Sequence, residues 1–222
     1  WDNWRECVRK TIELAPDNVT IYQMELPFNT VYSEAIRHDG TPITVANWAT
    51  KRAWVDYAFS ELETVGYRVS SAYTMVRDSD HGQFRYRDSL WHGADMIGTG
   101  VASFSHVSGV HYQNVDQWDD YVGKLQAGEL PLGRALAPTP HQRLIRELIL
   151  QLKLGAIPVG YFREKFGTDI LQEFSPAFEK WQAEELLTVH DDRVDLTRTG
   201  LLQADRLLPE FFEPEHRGVR YT

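Results

Sequence analysis

Glycines two residues apart, at Gly98 and Gly100, are the first feature of this sequence that could do chemistry. Glycine has no Cβ, so the backbone can turn sharply there or come close to another group. Such a loop can cradle a ligand with its N–H groups, or it can let a strand pack closely against a neighbouring backbone. It lacks the third glycine of dinucleotide-binding loops. The residues alone leave both interpretations open.

Two polar residues, Gln23 and Glu25, lie at the end of a segment, 18–26, that is predicted to form a strand buried on both faces. In parallel α/β sheets, ligands collect at the carboxyl ends of strands. A carboxylate at that position can bind an amine or act as a base. Alternatively, Glu25 accepts hydrogen bonds from nearby loop amides.

Four residues, Arg85, Tyr86, Arg87 and Trp91, combine cations with aromatic rings. Arginine pairs with carboxylates through two hydrogen bonds, and aromatic rings stack on flat macrocycles. The group therefore suits a flat ligand that carries carboxylates. The alternative is an exposed loop in which the arginines pair with nearby aspartates.

The histidines and the single cysteine give weaker signals. His106 and His111 flank a predicted turn, but no third metal ligand accompanies them, so a hydrogen-bonded or surface role is favoured. Cys7 lies on the apolar side of a helical pattern and is predicted to be buried. Alone, it can form neither an internal disulfide nor an iron–sulfur site, and it favours a reducing, cytoplasmic setting. No catalytic residue is assigned.

The elements that position these residues begin with alternating helices and strands. Helical periodicity runs through residues 4–15 and again through 48–65, and each run is followed by a strand-like segment, 18–26 and 67–73. This order predicts an α/β unit with parallel strands. Two strands are too few to close a sheet, and the first residues resemble the middle of a helix. We therefore expect a preceding N-terminal half.

The second half of the sequence predicts a change of domain after residue 128, giving domains 1–128 and 129–222. A hairpin is expected from strands 96–105 and 110–115, followed by a short helix. Thr139, Pro140 and Gln142 form a helix-start signal. Two further helices over 161–166 and 170–184, a small hairpin over 186–197 and a last helix to about residue 212 predict a mainly helical, winged-helix-like domain.

Composition excludes several classes of protein. The chain has 222 residues, is 42% hydrophobic and carries a net charge of −9. An acidic chain with aspartates in its terminal hairpin disfavours nucleic-acid binding, which depends on basic surfaces. The sequence contains no run of eighteen apolar residues, so it predicts no membrane span.

Five motifs, taken in order, resemble the C-terminal half of the oxygen-independent coproporphyrinogen III oxidase family, radical S-adenosylmethionine (SAM) proteins that handle tetrapyrroles. They are Tyr22-Gln-Met-Glu-Leu-Pro27, Trp91-x-Gly93-x-Asp95, Gly98-x-Gly100, His111-Tyr-Gln-Asn114 and Leu196-Thr-Arg-Thr-Gly200. The resemblance implies the last part of a partial (β/α) barrel followed by the helical domain. It also places six residues at the cofactor and substrate pocket: Gln23, Met24, Glu25, Gly98, Gly100 and Phe104. It implies a tetrapyrrole substrate for the Arg85, Tyr86, Arg87 and Trp91 group.

The chain departs from this family in two ways. The Cys-x-x-x-Cys-x-x-Cys motif is absent, so a [4Fe–4S] cluster and SAM are expected only in a full-length protein, with this chain inactive alone. Tyr86 and Arg87 replace a common His-Asn pair, so the ligand contact there differs. The implied activity is oxidative decarboxylation of porphyrinogen propionates. The alternatives are a haem-binding chaperone of the same family and a winged-helix interaction module.

Overall fold

The computed structural model describes residues 1–25, 30–38, 45–77 and 84–217. In these ranges the helices accompany three-stranded antiparallel sheets. The first part contains α1 (Asp2–Leu14), β1 (Asn18–Thr20), α2 (Val31–His38), α3 (Trp48–Thr64), β2 (Tyr67–Ser71) and β3 (Thr74–Arg77).

The first sheet has the strand order β1-β3-β2, and its pairs are antiparallel. The prediction of parallel strands holds for the direction of β1 and β2 but not for their pairing. β3 follows β2 through a short turn and lies between β2 and β1, so these two strands point the same way without pairing. The strand predicted over 18–26 is also too long, since it ends at Thr20, and it is not buried on both faces; residue 26 lies outside the described residues. It is an edge strand in which Val19 is half-buried between two exposed residues.

Helix α3 forms as predicted, ending one residue earlier, and Asn47 caps it by accepting a hydrogen bond from the Thr50 N–H at 2.9 Å. α1 packs on α3: the indole nitrogen of Trp4 donates to the carbonyl of Trp54 at 2.8 Å. Cys7 is exposed, so its predicted burial is wrong. Trp4 and Val8 lie on the face of α1 that packs inward. Cys7 lies outside that face and is therefore exposed.

The middle part contains α4 (Arg85–Trp91), β4 (Phe104–Val107), β5 (Val110–Asn114), α5 (Trp118–Gln126) and β6 (Leu132–Leu136). The hairpin exists, but its first strand is much shorter than the predicted 96–105 and its turn is tighter. Ser108 and Gly109 both have positive φ, as a two-residue hairpin turn requires. Met96 forms only an isolated bridge with His106. Strand β6, which follows the predicted boundary at 128, pairs with β5. The domain division itself stays a prediction.

The last part contains α6 (Pro140–Leu152), β7 (Ala156–Pro158), α7 (Val159–Phe166), α8 (Ile170–Glu173), α9 (Ser175–Ala183), β8 (Leu187–Val189), β9 (Arg193–Leu196), α10 (Arg198–Leu201) and α11 (Ala204–Leu207), then 3₁₀ turns at Leu208–Phe211 and Pro214–His216. The capping box at the start of α6 is confirmed. β7 adds a third strand to the predicted hairpin, in the order β7-β9-β8. The single helix predicted over 170–184 is divided before Pro176, and the predicted final helix is broken into short turns.

Two apolar clusters hold the described chain together. The larger lies entirely in the last part and contains Phe162, Phe178, Trp181 and Phe211. The smaller packs α3 against the first sheet and also includes Leu201 and Ala204 from the last part. Leu196 touches both clusters. The start and the end of the chain therefore share one packed interface.

Candidate functional site

The loop at Gly98 and Gly100 is held by the chain itself. The Gly98 N–H donates to the Ser105 hydroxyl at 3.0 Å, and the Gly100 N–H donates to the Tyr121 hydroxyl at 2.9 Å. The Asn114 amide donates to the carbonyls of both glycines, at 3.2 and 2.9 Å. Two of the sequence motifs therefore form one hydrogen-bonded unit.

Gly98 is required by close packing. A Cβ at this position would lie 2.2 Å from the Phe104 carbonyl oxygen. Gly100 has φ +106°, a conformation that L side chains rarely adopt. Because both N–H groups already have partners within the chain, the geometry matches the close-packing interpretation. The cofactor role of these glycines stays a prediction.

The Trp-x-Gly-x-Asp motif joins α4 to α6 and α7. Gly93 has φ +82°, and a Cβ there would lie 2.1 Å from a carboxylate oxygen of Glu147. Glu147 is buried, accepts from the Lys165 ammonium at 2.8 Å and accepts from the Tyr161 hydroxyl. Lys165 also donates to the carbonyl of His92 at 2.9 Å. Glycine in this motif therefore makes room for an ion pair between the buried Glu147 carboxylate and the exposed Lys165 ammonium.

The motif near the end of the chain has a similar explanation. The Thr197 hydroxyl accepts from the Gly200 N–H at 3.1 Å and so caps α10. A Cβ at Gly200 would lie 1.9 Å from the Leu186 carbonyl oxygen. Threonine and glycine at this spacing thus fix the end of the chain against the terminal hairpin.

The predicted substrate group lies on α4 and not in a loop. Arg87 is buried and donates to the Ser70 carbonyl and hydroxyl, at 3.1 and 2.7 Å, and to Asp88 at 2.6 Å. Its guanidinium also lies 5.2 Å from the Trp91 ring centroid. Arg87 is therefore engaged in holding α4 on the end of β2.

The other members of that group are more accessible. Arg85 is exposed and Tyr86 is 64% exposed, although the Tyr86 hydroxyl contacts the Met96 sulfur at 3.0 Å. Their role in binding substrate stays a prediction.

Gln23 and Glu25 line a cavity of about 350 Å³ at the end of β1. The Gln23 amide donates to the Leu202 carbonyl at 3.0 Å, so the end of the chain forms one wall. Met24 is 56% exposed and lines an adjoining apolar cavity of about 590 Å³ instead. Its carbonyl accepts a hydrogen bond from the Lys51 ammonium.

The first cavity contains charged residues that the sequence did not single out. Burial and the nearby charge of Arg206 lower the pKa of Arg52, whose Nε is buried without a partner among the described residues. Burial, followed by the charge of Asp205, raises the pKa of the Tyr73 hydroxyl, which donates to Asp205 at 2.5 Å. Trp48 completes the wall. No local sequence pattern predicted this cavity, because its wall brings α3 together with residues about 150 positions further along the chain.

The structure therefore groups the predicted residues in three places. Gln23 and Glu25 share the first cavity, the α4 residues adjoin the end of β2, and Phe104 lies with the two glycines at the β4–β6 sheet. Phe104 is 46% exposed and stacks on His111, with centroids 5.3 Å apart.

The comparisons with known proteins agree with the motifs. Residues 139–202 match the family described as the HemN C-terminal domain. The oxygen-independent coproporphyrinogen III oxidase of Pseudomonas aeruginosa is 24% identical over 94% of this chain and 49% of its own length. That of Helicobacter pylori strain J99 is 30% identical over 52% of this chain and 26% of its own length.

The solved structure of coproporphyrinogen III oxidase (HemN) from Escherichia coli, a radical SAM enzyme, matches with a TM-score of 0.71 and 16% identity. The match covers 95% of this chain and 51% of that one. The predicted resemblance to this family is therefore confirmed, as is a mixed α/β fold. The chain spans about half the length of these full-length relatives. Among the described residues, no helix is both long and apolar enough to cross a bilayer.

Proposed function

We propose that this chain is the C-terminal half of a radical SAM protein that decarboxylates the propionate side chains of a porphyrinogen. The observation that carries the proposal is the extent of the likeness. Nearly the whole chain aligns with about half of the Pseudomonas aeruginosa oxidase and of the Escherichia coli structure. We further propose that residues 1–128 are the last part of a partial (β/α) barrel with a hairpin extension, and that the helical domain over 129–222 is winged-helix-like.

The cluster itself does not fit this chain. A [4Fe–4S] cluster needs several thiolate ligands, and the sequence contains one cysteine, Cys7, which lies exposed on α1. Any cluster in the proposed protein must be held by residues outside this chain. The chain alone should not cleave SAM.

We propose that this chain supplies part of the wall of the reaction pocket. The cavity at Gln23 and Glu25 lies just after β1, and its volume of about 350 Å³ is within the size range of ligand pockets. The end of the chain closes one side of it through the contact between Gln23 and Leu202. The same proposal includes a tetrapyrrole as ligand and a reducing cytoplasmic setting.

The test uses the full-length protein that contains this chain, purified and reconstituted without oxygen. With coproporphyrinogen III, SAM and a reductant, we expect 5′-deoxyadenosine and a porphyrinogen that has lost carboxyl groups, measured by mass spectrometry. Stoichiometric haem binding without decarboxylation would contradict the proposal and favour a haem chaperone. The 222-residue chain under the same conditions serves as the negative control.

A further inference from the structure

One face of the β4–β6 sheet carries an unusual mixture of side chains. Directly paired residues of neighbouring strands share a face, and two rows of pairs are adjacent here. The first row is Phe104, Gln113 and Arg134, and the second is His106, His111 and Leu136. We call these six residues the mixed face. Contacts along it include the stack of Phe104 on His111 and a 2.7 Å hydrogen bond from Arg134 to Gln113.

Three nitrogen atoms at and beside the mixed face are buried without hydrogen-bond partners among the described residues. They are Nδ1 of His106, Nδ1 of His111 and Nη1 of Arg146, which lies on α6. His106 is only 5% exposed. A buried polar group without a partner destabilises the fold, and a charged one destabilises it more. Three together in a natural fold call for an explanation.

The charges around these atoms are unbalanced. Burial and then the charge of Arg146 lower the pKa of both histidines. Two carboxylates reach this region, and both have other partners. Asp95 accepts from the Ser108 N–H at 2.8 Å, and Glu147 is paired with Lys165. Arg146 therefore lacks a dedicated counter-charge within the described chain.

The rim of the mixed face is accessible and apolar. Phe104 is 46% exposed and Leu136 is 60% exposed, so both side chains offer apolar surface to a flat ring. Arg134, also exposed, adds a second cation on the neighbouring row.

We propose that the mixed face, together with Arg146, binds one carboxylate of a flat anionic ligand, with His106, His111 and Arg146 as the donors. On the proposed function, this ligand is a tetrapyrrole and the group is a propionate. The carboxylate would accept hydrogen bonds from nitrogens that otherwise have no partner. This adds carboxylate recognition at Arg146 to the group on α4, where Arg87 already donates to Ser70 and Asp88 but keeps a buried Nη1 without a partner among the described residues.

The first experiment measures binding of coproporphyrin III to the 222-residue chain by porphyrin fluorescence and absorbance. We expect Arg146→Met to weaken binding at least tenfold. Arg193→Met, which removes the same charge from β9, is the matched control and should bind as the unaltered chain does. The tetramethyl ester of the porphyrin lacks carboxylates, so it should bind both the chain and Arg146→Met equally weakly.

The second measurement protects the test from a misfolded variant. In the unaltered chain, NMR signals of the His106 and His111 rings should shift when coproporphyrin III is added, and those of His190 should not. Equal binding of acid and ester, equal binding by Arg146→Met, or unmoved ring signals would each overturn the inference. None of these results decides whether the full-length protein decarboxylates its substrate, so the proposed function is judged separately.

Discussion

The helical module over residues 140–211 and the β4–β6 sheet are built on opposite principles. The module is filled with apolar side chains, including Phe162 and Trp181, at 0% and 1% exposure. Neither apolar cluster of the described chain takes a residue from β4, β5 or β6. The buried residues of that sheet are Ser105, His106 and Asn114, and large apolar side chains lie on its outside.

The two regions are therefore suited to different tasks: the module to stabilising the fold, and the sheet to binding. An apolar core supplies most of the free energy of folding. A sheet with a polar interior contributes little of it and depends on hydrogen bonds to keep its shape. The sheet is therefore free to carry unpaired donors and exposed rings, which are the features that a ligand-binding surface needs.

The largest expected effect is on the module. Phe211→Ala removes a ring that is 1% exposed and packs against Trp181 at 5.0 Å, so it should destabilise the chain by about 3–5 kcal/mol. Phe104→Ala is the matched change in the sheet and should cost about 0.5 kcal/mol. Urea unfolding followed by tryptophan fluorescence measures both. Similar losses would remove the contrast between the two regions.

A smaller effect is expected from two glycines that each approach a carbonyl oxygen. Gly200→Ala should cost about 3 kcal/mol, because the surrounding module cannot move away from Leu186. Gly98→Ala should cost less, since the sheet can shift. Gly160→Ala, in α7 with no atom nearby, is the control and should stabilise by about 0.5–1 kcal/mol. Thermal unfolding would rank the stabilities of the three variants. A larger loss for Gly98→Ala than for Gly200→Ala would refute the expectation that the sheet shifts more easily than the module.

Asn114→Ala tests the hydrogen bonds that hold the sheet. It removes the donors to the Gly98 and Gly100 carbonyls, at an expected cost of about 1–2 kcal/mol. Hydrogen exchange should become faster in residues 98–114 and stay unchanged in 144–211. Gln117→Ala, which loses one exposed contact with Asp116, should change neither region. Faster exchange throughout would show that the sheet is part of the main core.

The smallest effect is a dependence on pH. Because the pKa values of His106 and His111 are lowered from 6.5 in the folded chain, the unfolded chain binds more protons as pH falls through 6.5. The stability of the sheet should therefore be full above pH 7 and decline towards pH 5. Hydrogen exchange, corrected for its intrinsic pH dependence, should show opening of residues 104–114 before 144–211. His106→Phe together with His111→Phe should remove the difference.

Local signals predicted much of this fold. Thr139, Pro140 and Gln142 identified the start of α6 because a capping box depends only on residues three apart. Periodicity predicted the long helix α3, and two short strand-like runs around a turn at Asp191 and Asp192 predicted the terminal hairpin. The insertion of β3 between two strands was missed, since pairing partners far apart in sequence leave no local trace.

The candidate site was harder to predict for the same reason. Glycines in three motifs were recognised, but Gly93 and Gly200 are explained by Glu147 and by the Leu186 carbonyl, which only the tertiary structure brings near. Arg87 was expected to bind a ligand carboxylate, which stays a prediction, and its hydrogen bonds to Ser70 were not foreseen. Arg146 belongs to a regular helix pattern, so nothing in the sequence distinguished it from an ordinary surface arginine.

The packing of Leu201 and Ala204 against α3 and the first sheet has a consequence for cooperativity. Because Leu196 contacts both apolar clusters, the two clusters should unfold together. Calorimetry of the intact chain should therefore give one unfolding peak. Removing the segment that carries Leu201 and Ala204 would expose the apolar residues between α3 and the first sheet. The C-terminal part of the chain therefore helps to stabilise the fold of the N-terminal part.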